Sequence, residues 1–166
     1  GLEEISPVPF QFQEIDSGAK GYYSNAEKLV AIQTSMSQAQ TMKTAVHEMT
    51  HAICHDRDVM EENGITKDRI TKEVEAESVA YVVCNHFGLD TSDYSFNYVA
   101  GWSSGKEMSE LRSSMDTIRL TSSQLIADIT EKLLELQKTR ELENDIKTEE
   151  LAEESSFFSN TENSYA

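Results

Sequence analysis

Several residue types are scarce in this 166-residue chain, which has two prolines, seven glycines, two cysteines and a single tryptophan. Two cysteines make no disulfide framework, so Cys54 and Cys84 read as small reduced core residues, and a cytoplasmic protein is the simplest expectation. No long apolar run is present, which excludes a membrane-spanning helix and any membrane partner that depends on one. Gly1-Leu2-Glu3-Glu4 does not begin a signal peptide, and Gly1 in place of Met reads as a tag scar or the end of a fragment cut from a longer parent. Cations are few as well, with 14 Lys and Arg against 30 Asp and Glu and a formal net charge of −16. Such a charge repels phosphate backbones, and no segment forms a basic patch. Direct nucleic-acid binding by this chain is therefore not expected.

Length predicts one domain with a real core. Pro7 to Gln33 reads as short strands: Phe10-Gln11-Phe12 alternates, Gly18 and Gly21 mark turns, and Leu29-Val30-Ala31-Ile32 completes a hairpin-like unit. Leu29 to Gln33 reads either as an ordinary core strand or as a sheet edge on which an extended peptide could add itself. Asp90 to Trp102 is dense in aromatics, which read as core. From about Lys106 a long helix is predicted, with Met108, Leu111, Met115, Ile118, Leu125, Ile129, Leu133 and Leu136 at packing intervals and a break near Thr121-Ser122-Ser123. Acid accumulates after Arg140, in Glu141, Glu143, Asp145, Glu149, Glu150, Glu153 and Glu154. That run reads as a solvated helix end or a flexible tail, so residues 1–140 are taken as the domain and 141–166 as an acidic tail.

His47-Glu48-Met49-Thr50-His51 carries the chemistry. Two histidines four residues apart lie one helical turn apart on one face and can reach a single metal ion. Glu48 sits about 100° round the helix, placed to take a proton from a metal-activated water without being a ligand itself. Met42, Val46, Met49 and Ile53 form the core stripe of a helix over Gln38 to His55, with Ser37 as its N-cap. His55 continues the row but stands two turns, about 12 Å, from His47, too far for a common ion. It reads as a C-terminal or surface histidine, and His86 as a surface one.

A catalytic zinc wants three protein ligands and an open position. Candidates lie on a second helix, roughly Thr66 to Phe87, closed by Gly88. Glu73 and Glu77 share a face, whereas Glu75 points about 200° from Glu73. Glu73 is thus predicted as the third ligand, Glu77 as the acceptor that orients a ligand histidine, and Glu75 as a side chain of little consequence. Ala76 and Ala80 allow the two helices to approach closely.

HExxH followed by a helix bearing Glu-x-x-x-Glu resembles the gluzincin arrangement. Glu73-Val74-Glu75-Ala76-Glu77-Ser78-Val79-Ala80 is similar to the signature of the ImmA/IrrE metallopeptidases, with Glu77 where those proteins have Asn. Lys20-Gly21-Tyr22-Tyr23, Lys43-Thr44-Ala45-Val46-His47 and Glu75 through Val83 look like the metallopeptidase domain of ArdC-like and LtrC-like proteins of plasmids, conjugative elements and phages. The resemblance covers roughly Gly21 to Leu120, without the N-terminal single-stranded-DNA-binding domain usual in ArdC-type proteins. It implies an α+β, zincin-like (gluzincin) domain: a small N-terminal sheet, active-site helices and a long C-terminal helix. His47, His51 and Glu73 would bind Zn2+, and Glu48 would act as base in hydrolysing peptide bonds of a protein or peptide substrate. The alternative is a non-proteolytic antirestriction or interaction module with a structural zinc and an acidic surface.

Overall fold

A computed structural model describes residues 2–92 and 97–162, the side chains of 97–98 and 153–162 excepted. The chain divides into two units, Gly1–Ile129 and Thr130–Ala166. In order, the elements are α1 (Leu2–Ile5), β1 (Phe10–Gln13), β2 (Gly21–Ser24), β3 (Leu29–Gln33), α2 (Gln38–Cys54), α3 (Arg57–Glu62), α4 (Arg69–His86), α5 (Asn97–Ser104) and α6 (Met108–Glu162). This is a mixed α+β architecture with a three-stranded sheet and a long C-terminal helix. Tyr94 and Phe96 lie outside the described residues, as does the side chain of Tyr98, so the expected aromatic core there is not part of this description.

The sheet runs β1-β3-β2, with β1 parallel and β2 antiparallel to β3. β3 is therefore the central strand, which favours the core-strand reading of Leu29 to Gln33 and corrects the edge reading. Val30, Ala31 and Ile32 are all fully buried, as an unbroken apolar run should be when both faces of its strand are covered. β1 and β2 are the outer strands instead, and β2 is the one that borders the α2 face. Lys28, at φ +52, turns the hairpin between β2 and β3, and its N–H donates to Ser24 O at 2.8 Å.

α2 begins where its cap predicts, with the Ser37 side chain accepting from Gln40 N–H, and it ends at His55 as C-cap. α4 starts later than Thr66 because Asp68 is its N-cap, accepting from Thr71 N–H at 2.8 Å. Past its C-cap Phe87, Gly88 adopts φ +70, a left-handed conformation that glycine takes without strain. The short helix α3 was not foreseen. Its N-cap Asp56 accepts from the N–H groups of Asp58 and Val59 with one oxygen, and from Tyr23 OH at 2.5 Å and Lys28 Nζ at 2.6 Å with the other. Burial opposes its ionisation, but Lys28 and Tyr23 hold the Asp56 carboxyl down to about 2. The Tyr23 phenol is pushed up to about 12 by burial and by Asp56. This network ties the β2 hairpin to the start of α3.

Within the first unit, Val46 and Met49 of α2 pack against Val79, Ala80 and Val83 of α4, with Leu125 and Ile129 of α6 closing the cluster. Ala45 meets Val30 and Ile32 on the sheet side of α2. α6 passes through Thr121-Ser122-Ser123 without the expected break. Ser122 is buried, and Thr121 Oγ1 lies 3.2 Å from Cys54 Sγ, so these hydroxyls face the fold and leave the helix intact. Leu133 and Leu136 do not join the core, being 46% and 39% exposed. Helix continues over 141–162, where side chains are exposed as far as they are described. Cys54 and Cys84 are not joined in a disulfide. No helix among the described residues is long and apolar enough to cross a membrane.

A Cβ added at Gly21 would stand 2.6 Å from Thr44 Cγ2 and 2.9 Å from Ala31 O. Gly21→Ala is thus expected to cost about 1–3 kcal/mol by forcing β2 away from α2, measured by denaturant unfolding. From Leu133 to Ala152 every side chain is exposed. Truncation after Arg140 should accordingly move Tm by no more than about 2 °C in a calorimetric scan.

Candidate metal centre

α2 and α4 meet with their polar faces toward the edge strand β2. His47 and His51, one turn apart on α2, both direct Nε2 to one point, and the two nitrogens stand 3.2 Å apart. From α4, Glu73 places Oε2 3.4 Å from His47 Nε2 and Oε1 3.7 Å from His51 Nε2. Atoms bound about 2.0–2.1 Å from a tetrahedral ion stand about 3.4 Å apart, so the three side chains fit a single zinc-sized cation. The donor set of two imidazoles and one carboxylate is that of a catalytic rather than a structural zinc site. These three form a group able to hold a metal, each offering one ligand atom within 4.8 Å of the others.

The local field favours a cation at this point. Burial opposes charge on His47, yet hydrogen bonds to Glu73 and Glu77 override it and push its pKa up to about 9. Glu73 is held well below the usual carboxylate range by its hydrogen bonds to His47 and His51. Glu77, one turn beyond Glu73, lies with Oε2 3.2 Å from His47 Nδ1, so His47 Nδ1–H can donate outward while Nε2 stays free for a metal.

Glu48 is buried beside the cluster, its carboxylate accepting from the Tyr23 backbone N–H, and burial pushes its pKa up. The side chain lies against Gly21, where an added Cβ would come within 3.3 Å of Glu48 Cγ. A cleft of about 390 Å³ opens here, bounded by Gly21 and Tyr22 of β2 on one side and by Arg69, Lys72 and Glu73 of α4 on the other. Sequence reasoning passed over Arg69 and Lys72, because isolated cations on a helix carry no pattern until the fold turns them toward a site.

Two expectations are corrected. His55 is neither a surface residue nor merely a group facing the helix dipole; it is 4% exposed, and its ring bridges His51 and Glu75. Glu75 does point away from Glu73, as helical phase requires, but toward the interior rather than solvent. It is fully buried and bonded to His55 and Lys67. Burial opposes its ionisation, but His55, Lys67 and Ser114 outweigh this and lower its pKa. Its removal would leave buried His55 and partly buried Lys67 without their acceptor, so Glu75→Ala is expected to destabilise the fold. His86 is exposed and packs edge-on against Phe87, apart from the cluster.

Residues 8–86 match the family model described as the IrrE N-terminal-like domain, Peptidase_M78. That span runs from just before β1 to the end of α4 and contains every residue of the site. A protein of Bacillus anthracis described as uncharacterized is 34% identical over 113 residues, which is 68% of this chain and 18% of that protein. The chain thus spans less than a fifth of that relative's length. No solved structure matches it.

Zinc titration separates the carboxylates. Glu73→Ala takes away one of the three candidate ligands and should nearly abolish binding. Glu77→Ala should weaken it about 10- to 100-fold. Equal losses in the two variants would show that their assigned roles are wrong.

Proposed function

We propose that this chain is a zinc metallopeptidase domain of zincin-like, gluzincin type, acting on peptide bonds of a protein or peptide substrate. The observation that carries this reading is the placement of three ligand atoms at ligand spacing, with buried Glu48 beside them and a cleft in front. The peptidase-family match over residues 8–86 supports it. Zinc held by His47, His51 and Glu73 would supply Lewis acidity toward a carbonyl oxygen and lower the pKa of a water. Glu48 takes the proton of the attacking water and passes it to the leaving amine. Burial suits it to this, because a carboxyl raised toward the working pH both accepts and returns a proton readily. The Tyr23 N–H fixes its orientation. β2, as the edge strand bordering the cleft, offers backbone groups to which an extended substrate can add as a further strand.

A structural zinc in a non-proteolytic interaction module would call for a fourth protein ligand and would have no use for Glu48. The three-ligand group favours the peptidase. Service to a plasmid, phage or conjugative element, and an antirestriction role, rest on the ArdC-like and LtrC-like resemblance. A cytoplasmic location rests on Cys54 and Cys84 not being joined in a disulfide.

Glu48→Gln should keep stoichiometric zinc and lose at least about 100-fold in hydrolysis, since the base is removed and the ligands are not. Metal analysis alongside digestion of a peptide library reads both quantities. Loss of zinc in this variant would overturn the assignment of Glu48 as base.

A further inference from the structure

The third histidine of the α2 row takes no part in the ligand group, yet it bears directly on one ligand. The His55 side chain is 2% exposed, its Nδ1 lies 2.9 Å from His51 Nδ1, and its Nε2 lies 2.8 Å from Glu75 Oε2. Glu75, fully buried, accepts from Lys67 Nζ at both oxygens, each at 2.8 Å. Lys67 in turn donates to Thr117 Oγ1 of α6 at 3.1 Å. Four parts of the first unit converge here: the end of α2, the loop before α4, α4 itself and the early part of α6.

Proton positions follow from this geometry. His51 Nε2 faces the ligand point, so in a neutral ligating imidazole the proton must sit on Nδ1. Two Nδ1 atoms 2.9 Å apart need one proton between them, so His51 donates and His55 accepts. His55 then carries its own proton on Nε2 and donates it to Glu75. The opposite arrangement would put a proton on His51 Nε2, where a metal must bind.

We propose that Lys67, Glu75 and His55 form a positioning relay that locks His51 in the tautomer and ring orientation needed to ligate the metal. This rests on the zinc-site reading above. The two ligand histidines are thereby held by different devices. His47 meets its carboxylate, Glu77, directly, whereas the carboxylate behind His51 acts through an intervening imidazole and is itself anchored by the partly buried Lys67 ammonium. His55 and Glu75 are positioning residues and do not touch the reacting atoms.

The test is zinc affinity of the full chain by chelator competition, together with the visible spectrum of the cobalt-substituted protein. His55→Phe keeps the ring and removes both nitrogens. It should lower zinc affinity about 10- to 100-fold and alter the cobalt bands. His55→Asn, whose Oδ1 can stand where Nδ1 stood and accept from His51, should recover most of the loss. A purely structural role predicts no such rescue. A folded Phe variant that binds zinc within about twofold of the parent overturns the proposal. If the Phe variant does not fold, the paired change Lys67→Met with Glu75→Leu removes both buried charges together and leaves His55 without its acceptor. A loss of about tenfold or more in that folded pair supports the relay, and unchanged affinity overturns it. Failure of the parent chain to bind zinc at all would overturn the site reading itself, a distinguishable result.

Discussion

One helix pair has to satisfy two demands at once. α2 and α4 seal the apolar core with Val46, Met49, Val79 and Val83 on one side, and they bring His47, His51 and Glu73 together on the other. The ligand atoms stand 3.2 to 3.7 Å apart across two different helices, so a small slide of one axis would spoil the set. Close-packed interiors resist such slides because every displacement opens voids elsewhere. Ala76 and Ala80, both fully buried on α4, keep side-chain bulk off the contact. The apolar packing is therefore what holds the polar geometry.

Two polar networks, each built on a buried carboxylate, brace the far end of α2, where packing alone would leave it free to fray. One is Asp56 with Tyr23 and Lys28, joining the β2 hairpin to α3. The other is Glu75 with His55, Lys67 and Ser114, joining α2, α4 and α6. Burying these charges is costly, and each network is tolerable because its carboxylate is met by several donors. A satisfied network of this kind admits few arrangements, which suits groups that position others. The first fixes the strand edge along the cleft and the second stands behind a ligand. Tyr23 of the first network also gives its backbone N–H to Glu48, whose side chain lies against Gly21 of β2.

Three carboxylates, Glu73, Glu77 and Glu48, act on His47 and outweigh the burial that opposes its charge. A metal ion would take the place of the His47 proton. The cleft's outer wall adds Arg69 and Lys72, so the site is acidic at its centre and basic along one rim. That contrast sets the group able to hold a metal apart from the rim around it.

Much of this was legible in the chain itself. The cap at Ser37, the apolar stripe of α2 and the glycine after α4 are local signals, and short-range sterics and hydrogen bonds decide them wherever they occur. Helical phase likewise determined that Glu73 and Glu77 share a face and that Glu75 does not. Phase says which residues lie together, but not what their face will meet. Only the tertiary structure decided that Glu75 points into the interior and that His55 is buried beside it, because both depend on α6 and Lys67 arriving from distant parts of the sequence. The same holds for the sheet. Leu29 to Gln33 was recognisable as a strand, but its central place depends on β1 and β2 pairing on both sides, and such long-range pairing leaves no trace in a five-residue run.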